Sequence, residues 1–150
     1  MAQTDPIGVF DSGLGGLSVL HAIRAALPAE DLVYCADHAY MPWGERDPDE
    51  VRERAHFIAG ALVTAGAKAV VVACNTATAA AADSLRAELA VPVLAMEPAL
   101  KPAAAETATG VVGVLGTGGT LASARFSALL QRFGNGLRVV TQPSPELVDL

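Results

Sequence analysis

Short apolar runs alternate along the chain with longer stretches in which apolar residues recur at helical spacing. This alternation is typical of a parallel sheet in which each strand is followed by a helix. The apolar runs predict strands at 7–10, 32–36, 69–73, 91–94, 111–115 and 137–140. The intervening patterns predict helices at about 17–27, 48–65, 76–89, 99–108 and 121–133, with a further helix beginning at 145. We therefore expect an α/β fold.

The second helix has the clearest local signals. Asp47, Pro48 and Glu50 fit an N-cap, a first-turn proline and a capping-box acid. Gly66 is placed to end the helix. One face of this helix carries the apolar residues expected in the core: Val51, Ala55, Ile58 and Leu62.

Composition excludes several functional classes. Hydrophobic residues make up 52% of the 150 residues, which is enough for a core, and the net charge of −6 argues against a nucleic-acid or membrane-surface partner. Cys35 and Cys74 have neither CxxC nor metal-site spacing, so we expect no structural zinc and no disulfide scaffold. The N-terminal residues lack the features of a secretory signal, and no apolar stretch is long enough to span a bilayer. These features predict a soluble, cytoplasmic protein.

Cys74 occupies the most informative position in the chain. A β-branched run ends beside it, and an Ala-rich helical stretch begins at Asn75. Where a strand leads into a helix N-terminus, the free N–H groups and the helix dipole favour a thiolate and a nearby carboxylate ligand. The alternative is a small buried hydrophobic residue, the commoner fate of a free cysteine.

Short polar side chains follow three predicted strands. They are Asp11 and Ser12 after the first strand, Asn75 and Thr76 after the central one, and Thr117 and Thr120 after a later one. Because ligands bind at the carboxyl ends of parallel strands, these groups suit the binding of carboxylates and an ammonium. Helix capping is the alternative role for Asp11 and Asn75. The glycines at 13–16 and 116–119 lack the spacing of a dinucleotide fingerprint, so they support a nucleotide site only weakly.

Several segments resemble glutamate racemase, of the aspartate/glutamate racemase superfamily. The stretch 10–19 (FDSGLGGLSV) resembles the family's opening motif, and 73–78 (ACNTAT) resembles its first catalytic cysteine motif. Asp37 with the Pro-Trp-Gly at 42–44, the Glu-Pro at 97–98, and Gly-Thr at 116–117 with Thr120 follow in the family's order. The resemblance covers the whole chain, but the chain covers only about the first half of such an enzyme.

The resemblance implies two similar doubly wound parallel-sheet domains with the substrate between them, here 1–98 and an incomplete 99–150. It implies a cofactor-independent racemase that holds no metal and uses two thiols, supplying D-glutamate for peptidoglycan. Cys74 would be the base toward D-glutamate, and Asp11 would govern its proton. The residues that would hold the substrate glutamate are Asp11, Ser12, Trp43, Gly44, Asn75, Thr76, Thr117 and Thr120.

The chain departs from the family pattern at two points. The family's second cysteine, in a Cys-Thr-His stretch, has no counterpart in these residues, and we expect Cys35 to be a core residue instead. Trp43 stands where the family usually has tyrosine, and His38 is expected in a solvated loop.

Other functions stay open. They are an aspartate racemase, a single-thiol decarboxylase, or a non-catalytic half-enzyme that binds a dicarboxylate, and the protein can be a homodimer. The last residues resemble the start of an uncapped helix, so we expect the sequence to be a piece of a longer protein.

Overall fold

A computed structural model describes residues 4–148 and shows two parallel sheets, whose strands alternate with helices as predicted. The strands are β1 (Ile7–Asp11), β2 (Leu32–Ala36), β3 (Ala69–Val72), β4 (Val93–Ala95), β5 (Val111–Gly116) and β6 (Arg138–Pro143). The helices are α1 (Leu17–Ala26), α2 (Pro48–Thr64), α3 (Asn75–Glu88), α4 (Leu100–Glu106), α5 (Gly118–Leu121) and α6 (Ala124–Phe133). None of the helices within 4–148 has the length and apolarity needed to cross a membrane.

The first sheet has the strand order β2-β1-β3-β4, and all its neighbouring pairs are parallel. The chain moves outward from β1 to β2 and then returns past β1 to β3, so the strand order reverses between β1 and β3. Right-handed crossovers therefore place α1 on one face of the sheet and α2 and α3 on the other. The carboxyl ends of β1 and β3 border the crevice in which open sheets of this kind bind ligands.

The main core lies between this sheet and α2 with α3. Phe10, Val70 and Val72 are fully buried there. The four residues predicted on the inner face of α2 are also buried, so the helical period identified that face correctly. Asp47 caps α2 by accepting a hydrogen bond from the Asp49 N–H at 2.8 Å. Glu50, expected to close a capping box, instead lies 3.9 Å from the Arg46 guanidinium.

The second sheet is the parallel pair β5-β6. Leu100, Val112 and Leu129 form its core with α4 and α6. The opposite face of β5 is open, since Val111 and Leu115 are exposed on it.

Most predicted bounds differ from the structure by a few residues, and three differences have a clear cause or change the type of element. The single helix predicted at 121–133 is two helices, because the Ser123 side chain accepts from the Phe126 N–H at 3.1 Å and begins α6 anew. The strand predicted at 91–94 starts later, at Val93, just after a proline that has no N–H for the ladder. The end of the chain forms a 3₁₀ turn at Pro145–Val148 rather than an α-helix, and positions 149–150 of that prediction lie outside the described residues.

Candidate active site

Polar groups from both sheets meet at a cleft of about 60 Å³. Ser12 follows β1, Thr76 follows β3 and Thr117 follows β5, and all three line this cleft. The other lining residues are Pro42, Trp43, Gly44, Glu45, Gly118 and Pro145. The structure thus brings together the ends of the three strands that were predicted to carry polar binding groups.

Cys74 lies against the cleft lining and is only 6% exposed. Its backbone is extended, with φ −114° and ψ 123°, and it is the N-cap of α3. Its Sγ accepts from the Ala77 N–H at 3.4 Å, and its thiol donates to the Ser12 hydroxyl at 3.5 Å. The thiol is therefore held between the helix N-terminus and a residue of the cleft.

Burial outweighs the helix N-terminus in setting the charge of this thiol. Desolvation raises the pKa of Cys74 above its ordinary value, and the nearby Asp11 carboxylate raises it further. The hydrogen bonds that the Ser12 hydroxyl and the Ala77 N–H can donate to the ionised sulfur lower the pKa, and their effect is smaller than that of desolvation. The start of α3 thus favours the thiolate through the Ala77 N–H, as expected, but desolvation outweighs it and makes the thiol the favoured form of Cys74.

Asp11 holds the glycine turn and lies close enough to Cys74 to affect the pKa of its thiol. Its Oδ2 accepts from the Gly16 N–H at 2.9 Å, just before α1, so it fixes the glycine turn. Its Oδ1 accepts from the Ser12 hydroxyl at 3.4 Å, and its charge acts on Cys74. Asp11 is 7% exposed, so one buried carboxylate both holds the turn and raises the pKa of Cys74. The N-cap of α1 is Gly16, with no side-chain cap bond, so the capping role considered for Asp11 is wrong.

Tyr34 supports the same turn and was not identified from the sequence. Its hydroxyl donates to the Gly13 carbonyl at 2.9 Å. Burial, followed by the charge of Asp11, raises the pKa of Tyr34 to about 12. The sequence predicted a strand at 32–36 but not its neighbour, and the structure pairs Tyr34 with Val9 of β1.

Three threonines join the two sheets. The Thr76 hydroxyl lies 3.0 Å from that of Thr117 and 3.4 Å from that of Thr120. Thr117 donates to Thr120 at 3.0 Å and accepts from the Thr120 N–H at 3.2 Å, which caps α5. These hydroxyls bind one another here, so a ligand carboxylate would exchange one set of hydrogen bonds for another.

The Trp43–Gly44 segment closes the other side of the cleft. The Trp43 indole N–H donates to Asp37 at 3.2 Å, so any contact of Trp43 with a ligand uses its ring carbons or its backbone. A Cβ added to Gly44 would lie 2.5 Å from Thr117, so only glycine allows this approach.

The remaining predicted residues do not line the cleft. Asn75 is exposed at the first position of α3, and since Cys74 is the N-cap, the capping role considered for Asn75 is wrong. Cys35 is partly buried against the main core, as expected, and His38 is exposed. Within 4–148, His, Cys, Asp and Glu side chains form no group of three or more suited to a metal ion.

The chain resembles known racemases over nearly its whole length. Residues 7–148 match the family model described as Asp/Glu/Hydantoin racemase. The glutamate racemase of Pseudomonas paraeruginosa is 60% identical over 149 residues, which are 99% of this chain and 56% of that protein. The chain thus spans about half the length of the curated relatives it matches.

Two solved structures show the same fold. The crystal structure of Escherichia coli glutamate racemase, in complex with L-glutamate and the activator UDP-MurNAc-Ala, matches with a TM-score of 0.88 and 37% identity. That match covers 97% of this chain and 55% of the other. Glutamate racemase RacE1 of Bacillus anthracis matches with a TM-score of 0.88 and 36% identity, over 99% of this chain and 56% of the other. By its family match, its fold and the identity of its relatives, the chain belongs to the Asp/Glu/Hydantoin racemase family.

Proposed function

We propose that the protein containing this chain interconverts L- and D-glutamate without a cofactor, with Cys74 as one of two catalytic thiols. The observation that supports this most is the position of the Cys74 thiol. It lies at the N-terminus of α3, 3.5 Å from a serine that lines the cleft, and next to a buried carboxylate. Relatives that bear the name glutamate racemase support the choice of substrate.

The chemistry requires a base in a dry site, because the Cα proton of an amino acid is very weakly acidic. Cys74 is buried, and the pKa of its thiol is raised, so its thiolate is a stronger base than an exposed one. The α-ammonium of a bound amino acid would bring a positive charge that lowers the pKa of Cys74 and favours its ionisation. Substrate binding would therefore create the active form of the base.

In the reaction, the Cys74 thiolate takes the Cα proton of D-glutamate and becomes a thiol. The electron pair left at Cα passes into the carboxylate group, which hydrogen bonds in the site stabilise. A second thiol, outside these 150 residues, returns a proton to the opposite face. In the reverse direction Cys74 gives its proton to Cα, so each cycle leaves one thiol and one thiolate.

We propose that Asp11 controls the proton of Cys74, since its charge raises the pKa of that thiol and its Oδ1 accepts from the Ser12 hydroxyl. We propose that Ser12, Asn75 and the three threonines bind the carboxylates and ammonium of glutamate, with Trp43 and Gly44 as the opposite wall. Thr117 and Thr120 would contribute from a second domain that starts near residue 99. The D-glutamate produced would serve peptidoglycan synthesis.

Chiral chromatography of the reaction mixture tests this function. The natural gene product that includes these residues is incubated separately with L-glutamate and with L-aspartate. We expect D-glutamate to form and aspartate to remain L. Formation of D-aspartate without D-glutamate, or of neither, would overturn the proposed substrate.

A further inference from the structure

A buried carboxylate next to the cleft receives three hydrogen bonds. Asp37 is 4% exposed and accepts from Arg54 Nε at 2.8 Å and from Arg54 Nη2 at 2.7 Å. It also accepts from the Trp43 indole N–H at 3.2 Å. An arginine that donates two parallel bonds fixes a carboxylate in orientation as well as in position. Asp37 in turn holds the N–H edge of the Trp43 ring through one hydrogen bond.

Arg54 is itself held in place by aromatic rings. Its guanidinium carbon lies 3.9 Å from the centre of the Tyr40 ring and 4.9 Å from the centre of the Phe57 ring. Hydrogen bonding to Asp37 raises the pKa of Arg54, so this group stays charged throughout the working range. Arg54 and Phe57 of α2 line a surface groove of about 440 Å³, together with Tyr40 and Trp43. Trp43 thus borders both this groove and the cleft.

The residue after Trp43 forms part of the cleft lining. Gly44 follows Trp43 and lies so close to Thr117 that a Cβ at position 44 would be 2.5 Å from the Thr117 side chain. A small displacement of Trp43 would therefore change the gap between Gly44 and Thr117. Misplacement of a binding group by about 1 Å can cost an enzyme on the order of 10²-fold in rate.

We propose that Arg54 is a positioning residue, which acts through Asp37 to hold Trp43 and Gly44 as a fixed wall of the substrate cleft. The proposal rests on the proposed function for its kinetic consequence, since Arg54 does not line the cleft itself. Its structural consequence, the immobilisation of Trp43, does not depend on that function. The kinetic consequence and the immobilisation of Trp43 can therefore be measured separately.

Fluorescence measures the structural consequence, because Trp43 is the only tryptophan in the chain. Arg54→Lys keeps the charge and removes the two-bond geometry. Arg52→Lys is the matched control, on the same helix and paired with Asp49 at the surface. We expect Arg54→Lys to shift the Trp43 emission to the red and to remove its protection from acrylamide quenching, whereas Arg52→Lys changes neither.

Kinetics of the natural gene product measure the functional consequence. We expect Arg54→Lys to raise KM for glutamate by about tenfold, with a smaller effect on kcat, since a loosened wall weakens binding. Arg52→Lys should keep the wild-type KM. A residue that only stabilises the fold would lower the unfolding midpoint and leave both the emission and the KM of the folded protein unchanged. That result would overturn the proposal.

A second variant keeps the test valid if Arg54→Lys does not fold. The double variant Asp37→Asn/Arg54→Met removes both charges and leaves no unpaired buried carboxylate. We expect the double variant to loosen Trp43, and therefore to show the red-shifted emission and the acrylamide quenching expected for Arg54→Lys. Unchanged emission in this folded double variant would also overturn the proposal. Inactivity of the wild-type protein toward glutamate would refute the proposed function and leave the fluorescence result to decide the role of Arg54.

Discussion

Cys74 and Ser12 are 62 positions apart in the chain, and the thiol of one lies 3.5 Å from the hydroxyl of the other. The register of the sheet explains the contact. Phe10 pairs with Val72 across β1 and β3, and Ser12 and Cys74 each follow that pair by two residues. The parallel register therefore places the hydrogen-bond partner of the thiol at the mouth of the cleft.

Replacing Ser12 with alanine should make Cys74 harder to ionise. The Ser12 hydroxyl can turn to donate to the ionised sulfur and so lowers the pKa of Cys74, and the Ser12→Ala variant should have a higher thiol pKa and react more slowly with iodoacetamide at pH 8. The rate is measured against pH in the 150-residue chain with Cys35→Ala, in which Cys74 is the one thiol. Ser127→Ala, at an exposed position on α6, is the control. Faster alkylation in Ser12→Ala would contradict the assigned hydrogen bond.

Asp11→Asn should lower the pKa of the Cys74 thiol, the opposite of the effect expected for Ser12→Ala. The charge of Asp11 raises the pKa of Cys74, so removing it should shift the alkylation profile to lower pH. The asparagine oxygen can still accept from the Gly16 N–H, so the turn should persist. In the natural gene product this variant should slow proton transfer by roughly 10²–10⁴-fold if Asp11 takes part in acid–base chemistry. An effect on KM alone would limit Asp11 to binding.

Tyr34→Phe should reveal a stability contribution that depends on pH. The hydroxyl bond to Gly13 should be worth about 1 kcal/mol. The pKa of Tyr34 is raised from 10.0 to about 12, so the folded state holds this proton more tightly than the unfolded state. The contribution is complete below pH 10 and is lost as the pH rises toward 12. Urea unfolding of wild type and variant from pH 8 to 11.5 should show their free energies of unfolding converging, and a constant difference would contradict the shift.

Gly44→Ala should disturb the cleft. The added methyl group would meet Thr117, and we expect a loss of about 1–3 kcal/mol in the free energy of unfolding. Gly60→Ala is the control, since nothing lies within 4 Å of a Cβ there, and its position inside α2 predicts a gain of roughly 0.5–1 kcal/mol. Both are measured by urea unfolding. Equal effects of the two variants would mean that Gly44 and Thr117 are not in close contact.

The sequence predicted what depends on local periodicity. The strands, the inner face of α2 and the meeting of polar strand ends all follow from alternating patterns and from the parallel arrangement of the sheet. The N-cap of α2 also followed from Asp47 and Pro48, which act within one turn.

The sequence did not predict what depends on contacts between distant segments. The desolvation of Cys74 comes from the packing around it, which no local pattern records. The Asp37–Arg54 pair joins a loop to a helix 17 positions away, and its geometry requires the path of that loop, which includes 3₁₀ turns at His38–Tyr40 and Trp43–Glu45. Tyr34 acts on a carbonyl 21 positions away, so its role also required the folded chain.

The most direct test of the central claim is proton NMR of D-glutamate in D₂O with the natural gene product and its Cys74→Ser variant. If Cys74 is the base for the D enantiomer, the wild-type protein exchanges the Cα proton for deuterium, and the variant loses this exchange while keeping its circular dichroism spectrum. Exchange at the wild-type rate in a folded Cys74→Ser variant would contradict the account.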